Sequence, residues 1–117
     1  MADAKPLTPQ SVAQKAVELA RDARAAVVLD GAGQLAGSSE SDGERSRLLA
    51  EHAKELIDAV DAAAPGDSPE QVEAQVDGGA VYLVRRPGWA IAAVARRQAL
   101  SSLMFYDLRA MLSELEA

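Results

Sequence analysis

The sequence predicts a mixed α/β (α+β) domain with the element order helix-strand-strand-helix-strand-strand-strand-helix. Three kinds of pattern carry this prediction. Apolar residues recurring every three or four positions indicate helices, and short continuous apolar runs indicate strands covered on both faces. One strictly alternating segment indicates a strand with one face in water. With 117 residues, the chain has the size of one domain with one hydrophobic core.

The first helix is predicted to begin after Thr8 and to end near Arg24. Thr8 followed by Pro9 is a start signal, because the hydroxyl can cap the helix and proline fits its first position. Four small or apolar residues then recur at helical spacing: Val12, Ala16, Leu19 and Ala23. Residues 1–7 lack such a pattern, so we expect a flexible N-terminal arm followed by a single domain over residues 8–117.

A hairpin is predicted after the first helix. Residues 25–29 form a continuous apolar run rich in valine, which indicates a strand covered on both faces. Residues 30–33 supply the aspartate and glycines of a turn, and residues 34–38 return as a weaker strand. A polar loop follows over residues 38–43.

The second helix is predicted from Asp42 or Glu44 to Ala64 and is the longest element. At 100° per residue its apolar side has six members, namely Leu49, Ala53, Leu56, Ile57, Val60 and Ala64, and three more widen it, namely Leu48, His52 and Ala59. This arc spans roughly 180–200°, whereas packing on a core needs little more than 100°. We therefore expect part of it to meet a partner, through Leu48, His52, Leu56 and Ala59.

Three strands are predicted after the helix-breaking residues 65–69. Residues 71–76 alternate strictly, with Val72, Ala74 and Val76 on one face, so we expect an edge strand that pairs with a partner through this segment. Residues 80–84 and 89–95 are apolar on both faces and are predicted to be central strands.

The last helix is predicted over residues 101–115, with Ser101 as its cap. Its apolar stripe comprises Leu100, Met104, Leu108, Met111 and Leu115, widened by Leu103 and Leu112. Phe105 is expected in the core, and Tyr106 is a candidate for a surface patch.

Composition excludes several classes of function. The net charge of −6 argues against nucleic-acid binding, which needs a concentrated basic surface. The absence of cysteine excludes disulfides and thiolate metal sites. No apolar run approaches the roughly 20 residues that span a membrane, and no secretory leader opens the chain. We expect a cytoplasmic protein without membrane insertion. Its abundant alanine predicts a tight core.

No catalytic constellation can be assembled from the sequence. Residues 31–36 match the letters of a dinucleotide-binding fingerprint, but no helix can follow them at once, as pyrophosphate binding requires. His52 is the only histidine, so neither a serine triad nor a histidine metal cluster is available. The pairs Arg85-Arg86 and Arg96-Arg97 lie at opposite ends of the last strand and do not make one basic patch. We expect no enzyme activity, no metal and no cofactor.

The order of elements resembles the roadblock (dynein light chain) family over residues 8–115. The first hairpin, Val27 to Ser38, is similar to the family's apolar strand, aspartate-glycine turn and short strand. The segments 79–84 and 89–94, followed by an apolar helix, also resemble it. The resemblance implies a three-layer, profilin-like domain with a central five-stranded antiparallel sheet.

The resemblance also implies partners. Roadblock domains typically dimerise through edge strands and second helices, and bacterial members act beside small Ras-like GTPases. The expected function is a dimeric protein-interaction module that pairs with itself or another roadblock-like chain and regulates or scaffolds such a GTPase. The alternative is a small-molecule-sensing domain of the GAF or PAS kind, which would need a lined cavity.

Overall fold

The computed structural model describes residues 8–67 and 69–116, so the predicted arm over residues 1–7 lies outside them. The described part of the chain contains three helices and five strands in the predicted order. In chain order these are α1 (Pro9–Leu19), β1 (Ala23–Asp30), β2 (Leu35–Ser38), α2 (Gly43–Ala63), β3 (Gln71–Val76), β4 (Gly79–Arg86), β5 (Trp89–Arg96) and α3 (Ser101–Glu116).

The five strands form one antiparallel sheet in the order β2-β1-β5-β4-β3. The alternating strand β3 is an edge strand, and β5 lies at the centre, as the patterns predict. The pairing of β1 with β5 joins the two halves of the chain, for example Val27 to Ala92.

Two apolar clusters lie on opposite faces of the sheet and make three layers. The larger cluster joins α1 and α3 to the sheet, through residues such as Val12, Leu108 and Tyr82. The smaller cluster joins α2 to the sheet through Ala50 and Ala53. The three-layer fold and five-stranded antiparallel sheet implied by the resemblance are therefore confirmed.

The first helix ends at Leu19, which corrects the predicted end near Arg24. Ala23 begins β1, where it pairs with Ala95 of β5, and Leu19 is 49% exposed. Helical spacing alone cannot detect this change, because the competing contact comes from a strand some 70 residues later in the chain. The predicted start is confirmed, since the Thr8 hydroxyl accepts the Ser11 amide hydrogen and Pro9 opens the helix.

The apolar stripe of α3 is narrower than predicted. Met104, Leu108, Met111 and Leu112 are buried, but Leu100 and Leu103 are 66% and 53% exposed. Leu100 lies immediately before the helix, and its carbonyl accepts the amide hydrogen of Met104 in the first turn. Ser101 is therefore the first helical residue and not its cap, and its hydroxyl donates instead to Glu73 of β3 at 2.6 Å.

Candidate interaction surface

The second helix touches the sheet along a strip of small side chains. Its buried residues are Ser46, Ala50 and Ala53, and the strip lies over β1 and β2. The sequence predicts a strip centred on larger residues, and Ser46 and Ala50 are absent from that prediction. Small side chains let the helix lie close to the sheet. The larger residues Leu49 and Ile57 pack against the edge of this contact and stay only partly buried.

Both ends of α2 are attached to the sheet by polar contacts. Near its start, the buried Ser46 hydroxyl donates to the Ser38 hydroxyl of β2 at 2.8 Å. Near its end, the Arg85 guanidinium of β4 donates to both carboxylate oxygens of Asp61, at 3.1 and 2.5 Å, and to the Pro69 carbonyl at 2.8 Å. These contacts set the distance between α2 and the outer strands.

The hydrogen bonds between Arg85 and Asp61 lower the pKa of the Asp61 carboxyl below its usual value. They also raise the pKa of the Arg85 guanidinium. Arg85 is thus engaged with the domain's own carboxylate. The Arg85 side chain is only 15% exposed, so its position favours a structural contact within the domain over a contact with a partner protein.

An apolar groove lies between α2 and the outer half of the sheet. It has a volume of about 540 Å³. Its walls come from α2, β3, β4 and β5, and its lining residues are Leu49, His52, Ala53, Leu56, Ala74, Val76, Asp77, Val81 and Val94. Only His52 and Asp77 contribute polar side chains. The groove exists because α2 covers the β1 side of this face and leaves the β3 side open.

Four of the seven residues predicted to contact a partner line this groove. They are His52 and Leu56 on α2, and Ala74 and Val76 on β3. Val72 packs instead against the smaller apolar cluster. Leu48 and Ala59 are exposed on α2 outside the lining, with Leu48 at 41%. The structure therefore brings four of the predicted contact residues together in one groove, although they come from α2 and β3 and lie about 20 positions apart in the sequence.

The opposite face of β3 contacts α3. The Ser101 hydroxyl that donates to Glu73 also lies 3.3 Å from the Tyr82 hydroxyl, and the Gln75 amide donates to the same Glu73 carboxylate at 2.6 Å. Phe105 packs edge-on against Tyr82 with ring centroids 5.3 Å apart, as expected of a core residue. Tyr106 is 62% exposed on this side of the molecule, away from the groove.

The glycine-rich segment after β1 is a hairpin turn. The Asp30 carboxylate accepts the amide hydrogens of Ala32 and Gln34, each at 2.9 Å, and Gly33 has a φ of 82°. A strand follows, so this turn has no helix N-terminus to receive a phosphate. The hairpin predicted over these residues is confirmed.

Residues 8–67 and 69–116 contain no cluster of three or more histidine, aspartate or glutamate side chains that could hold a metal ion. His52 is exposed on α2. None of the helices in this part of the chain is both long and apolar enough to cross a membrane.

Comparisons with known proteins identify the fold. No protein-family model matches the chain, and no curated protein sequence matches it. Solved structures do match. A Roadblock/LC7 domain from Streptomyces avermitilis has 17% sequence identity and a TM-score of 0.83, with 94% of this chain and 96% of that chain covered.

Structures of MglB match as well. MglB from Myxococcus xanthus has 12% identity and a TM-score of 0.70, with 98% of this chain and 90% of that chain covered. An MglB with a tetrameric arrangement has 15% identity and a TM-score of 0.61, with coverages of 91% and 86%. The fold of this chain is that of the roadblock/LC7 domains.

Proposed function

We propose that the chain is a non-enzymatic, cytoplasmic interaction module that pairs with a second copy of itself and regulates or scaffolds a small Ras-like GTPase. The observation that carries the proposal is the apolar groove beside the open edge of β3. A groove with mostly apolar walls costs free energy while it faces water, so a protein surface that fills it would be stabilised there.

Self-pairing is supported by the position of the groove. It lies directly beside β3, which has β4 as its one neighbouring strand within the described residues. An open strand edge can extend the sheet by pairing with another strand, and the pairing would bring two grooves together. The tetrameric arrangement of one MglB structure fits a fold that assembles with copies of itself.

The GTPase partner is supported by the resemblance to bacterial roadblock domains and by the structural match to MglB. The chain has no phosphate-binding loop of its own. Its contribution would therefore be a surface that distinguishes two states of a switch protein. A single binding surface does so when its affinities for the two states differ.

The first test measures solution mass by light scattering, for the wild type and two matched variants. The wild type is expected at twice the chain mass of 12.3 kDa. Leu56→Asp places a charge in the groove and is expected to give monomers, because a buried unpaired carboxylate is strongly disfavoured. Leu103→Asp, at an exposed leucine of α3, is the control and should remain dimeric. A monomeric wild type, or equal masses for both variants, would contradict the proposal.

The second test titrates the dimer with each small Ras-like GTPase of the source organism, loaded with GDP or with a non-hydrolysable GTP analogue. Calorimetry is expected to find one GTPase whose dissociation constant differs at least tenfold between the two nucleotides. If no GTPase binds, and a metabolite raises the thermal stability instead, the small-molecule-sensing alternative replaces this proposal.

A further inference from the structure

We propose that two copies of the chain pair through β3 in one particular register, with Ala74 facing the partner's Ala74 across a two-fold axis. The inference rests on the proposed self-pairing and adds to it which residues meet. Three observations carry it: the direction of the backbone groups of β3, the face that each side chain occupies, and the positions of the charges.

The backbone of β3 alternates between β4 and the open edge. The Arg85 amide donates to the Glu70 carbonyl at 2.8 Å, and residue pairs such as Val72 with Leu83 continue this register. In an antiparallel pair, alternate residues exchange hydrogen bonds with the neighbouring strand. Even-numbered residues therefore bond to β4, and Gln71, Glu73 and Gln75 direct their N–H and C=O groups to the open edge.

The side chains of β3 also alternate between two different surroundings. Ala74 and Val76 face the groove on the α2 side, whereas Glu73 faces α3 and accepts the Ser101 hydroxyl. A two-fold axis perpendicular to the sheet keeps both grooves on the same side. It therefore pairs odd-numbered residues with odd and even with even, so the axis must pass beside one residue and its counterpart.

The positions of the charges discriminate among the central residues. With Ala74 at the axis, Glu73 faces the partner's Gln75 and Gln71 faces the partner's Asp77, so each carboxylate meets an amide donor. With Glu73 at the axis, the two Glu73 carboxylates face one another. With Gln75 at the axis, Glu73 faces the partner's Asp77. Like charges directly opposite one another destabilise a sheet, which disfavours both of these registers.

A register centred on Val72 avoids like charges but pairs less of the strand. It would align only residues 71–73 of β3 with those of the partner. It would also place Gln75 opposite Pro69, which has no N–H to donate, and Glu70 beside Ala74 on the apolar side. The Ala74 register aligns residues 72–76 and places Val72 against the partner's Val76 on that side. Of the four registers centred on residues 72 to 75, it is the one that keeps apolar residues together on the groove side and avoids facing carboxylates on the other side.

Single cysteine variants can locate the axis, because the natural sequence contains no cysteine. In the proposed register the two Ala74 residues form a pair that is not hydrogen-bonded, with Cα atoms about 4.5 Å apart, which a disulfide can bridge. Ala74→Cys is expected to form a covalent dimer under mild oxidation at least tenfold faster than Val72→Cys, Glu73→Cys or Gln75→Cys. Faster cross-linking at one of those three positions would overturn the register.

A charge exchange gives an independent measurement. Gln75→Glu would place two pairs of carboxylates opposite one another and is expected to weaken dimerisation about tenfold at low salt. Adding Glu73→Gln should restore it. The contact between residues 73 and 75 within one strand is present in both monomer and dimer, so its effect on the dimer dissociation constant largely cancels. An unchanged constant for Gln75→Glu would overturn the register.

The outcomes separate this inference from the proposed function. A monomeric wild type would overturn both. A dimer that Leu56→Asp dissociates, but in which none of the four cysteine variants cross-links, would leave the groove as the interface and overturn pairing through β3.

Discussion

At the scale of single residues, Arg85 shows how one side chain positions the groove. Its guanidinium holds the C-terminal end of α2 through Asp61 and the loop before β3 through Pro69. The sequence shows an arginine near the end of a predicted central strand. It cannot show the partner, because Asp61 is 24 positions away and belongs to another layer.

The contact with Asp61 predicts a pH-dependent contribution to stability. The folded state lowers the pKa of Asp61, so the contact stabilises the fold above the unfolded value of about 4 and is lost as the pH falls through the lower folded value. In urea unfolding, Asp61→Asn is expected to have a lower free energy of unfolding than wild type at pH 7. This difference should shrink below about pH 4.

Asp58→Asn is the control for this measurement. Asp58 pairs with Lys54 on the same helix, and the two side chains are 65% and 48% exposed. Such exposed pairs contribute little, about 0.3–0.5 kcal/mol. Its deficit should be smaller than that of Asp61→Asn at pH 7. Equal deficits for the two variants would show that the bond to Arg85 has no special role.

At the scale of elements, the packing of α1 on β2 depends on a glycine that no turn requires. Gly37 lies within β2, and a Cβ atom built on it would overlap the backbone of Pro9 and Gln10 at the start of α1. The Gln10 side chain also bonds to both the amide and the carbonyl of Ser38. The helix and the edge strand therefore meet backbone to backbone.

Gly37→Ala is expected to destabilise the protein by about 1–3 kcal/mol, since the overlapping atoms belong to the main chain and cannot rotate away. Gly43→Ala is the matched control. Gly43 begins α2 with open space around its Cβ position, so alanine there should be neutral or stabilise by up to about 1 kcal/mol. Denaturant unfolding measures both, and equal stabilities would contradict the close approach of α1 to β2.

The elements themselves were largely predictable from the sequence, and the exceptions are instructive. The cap at Thr8, the turn after Asp30 and the alternation of β3 are local patterns, and the structure contains all three. The end of α1 and the exposure of Leu103 were wrongly predicted. In both cases apolar residues continue at helical spacing in the sequence at positions where no other part of the fold packs against them.

At the scale of the whole molecule, the proposed function follows from the incomplete covering of one face of the sheet. Two helices lie on one face of the sheet and one on the other. The single helix lies toward β1 and β2, so the β3 side of its face keeps apolar residues that the chain itself leaves uncovered. A second copy would complete that layer.

Thermal stability is therefore expected to depend on protein concentration. Association that occurs only in the folded state raises the melting temperature by mass action, here by roughly 2–5 °C for each tenfold increase in concentration. Calorimetric scans of wild type and Leu103→Asp should show this slope, and Leu56→Asp should not. A wild-type melting temperature that stays constant over a hundredfold range would contradict assembly through the groove.

The sequence by itself determined the element order, most element boundaries, the edge character of β3 and the excess apolar width of α2, because these depend on spacing within a few turns or strand residues. The tertiary structure decided which part of α2 is buried, which predicted contact residues share a groove, and which carboxylate Arg85 meets. Those outcomes depend on how closely α2 can approach the sheet, and that distance is set by small side chains and polar contacts between segments far apart in the chain.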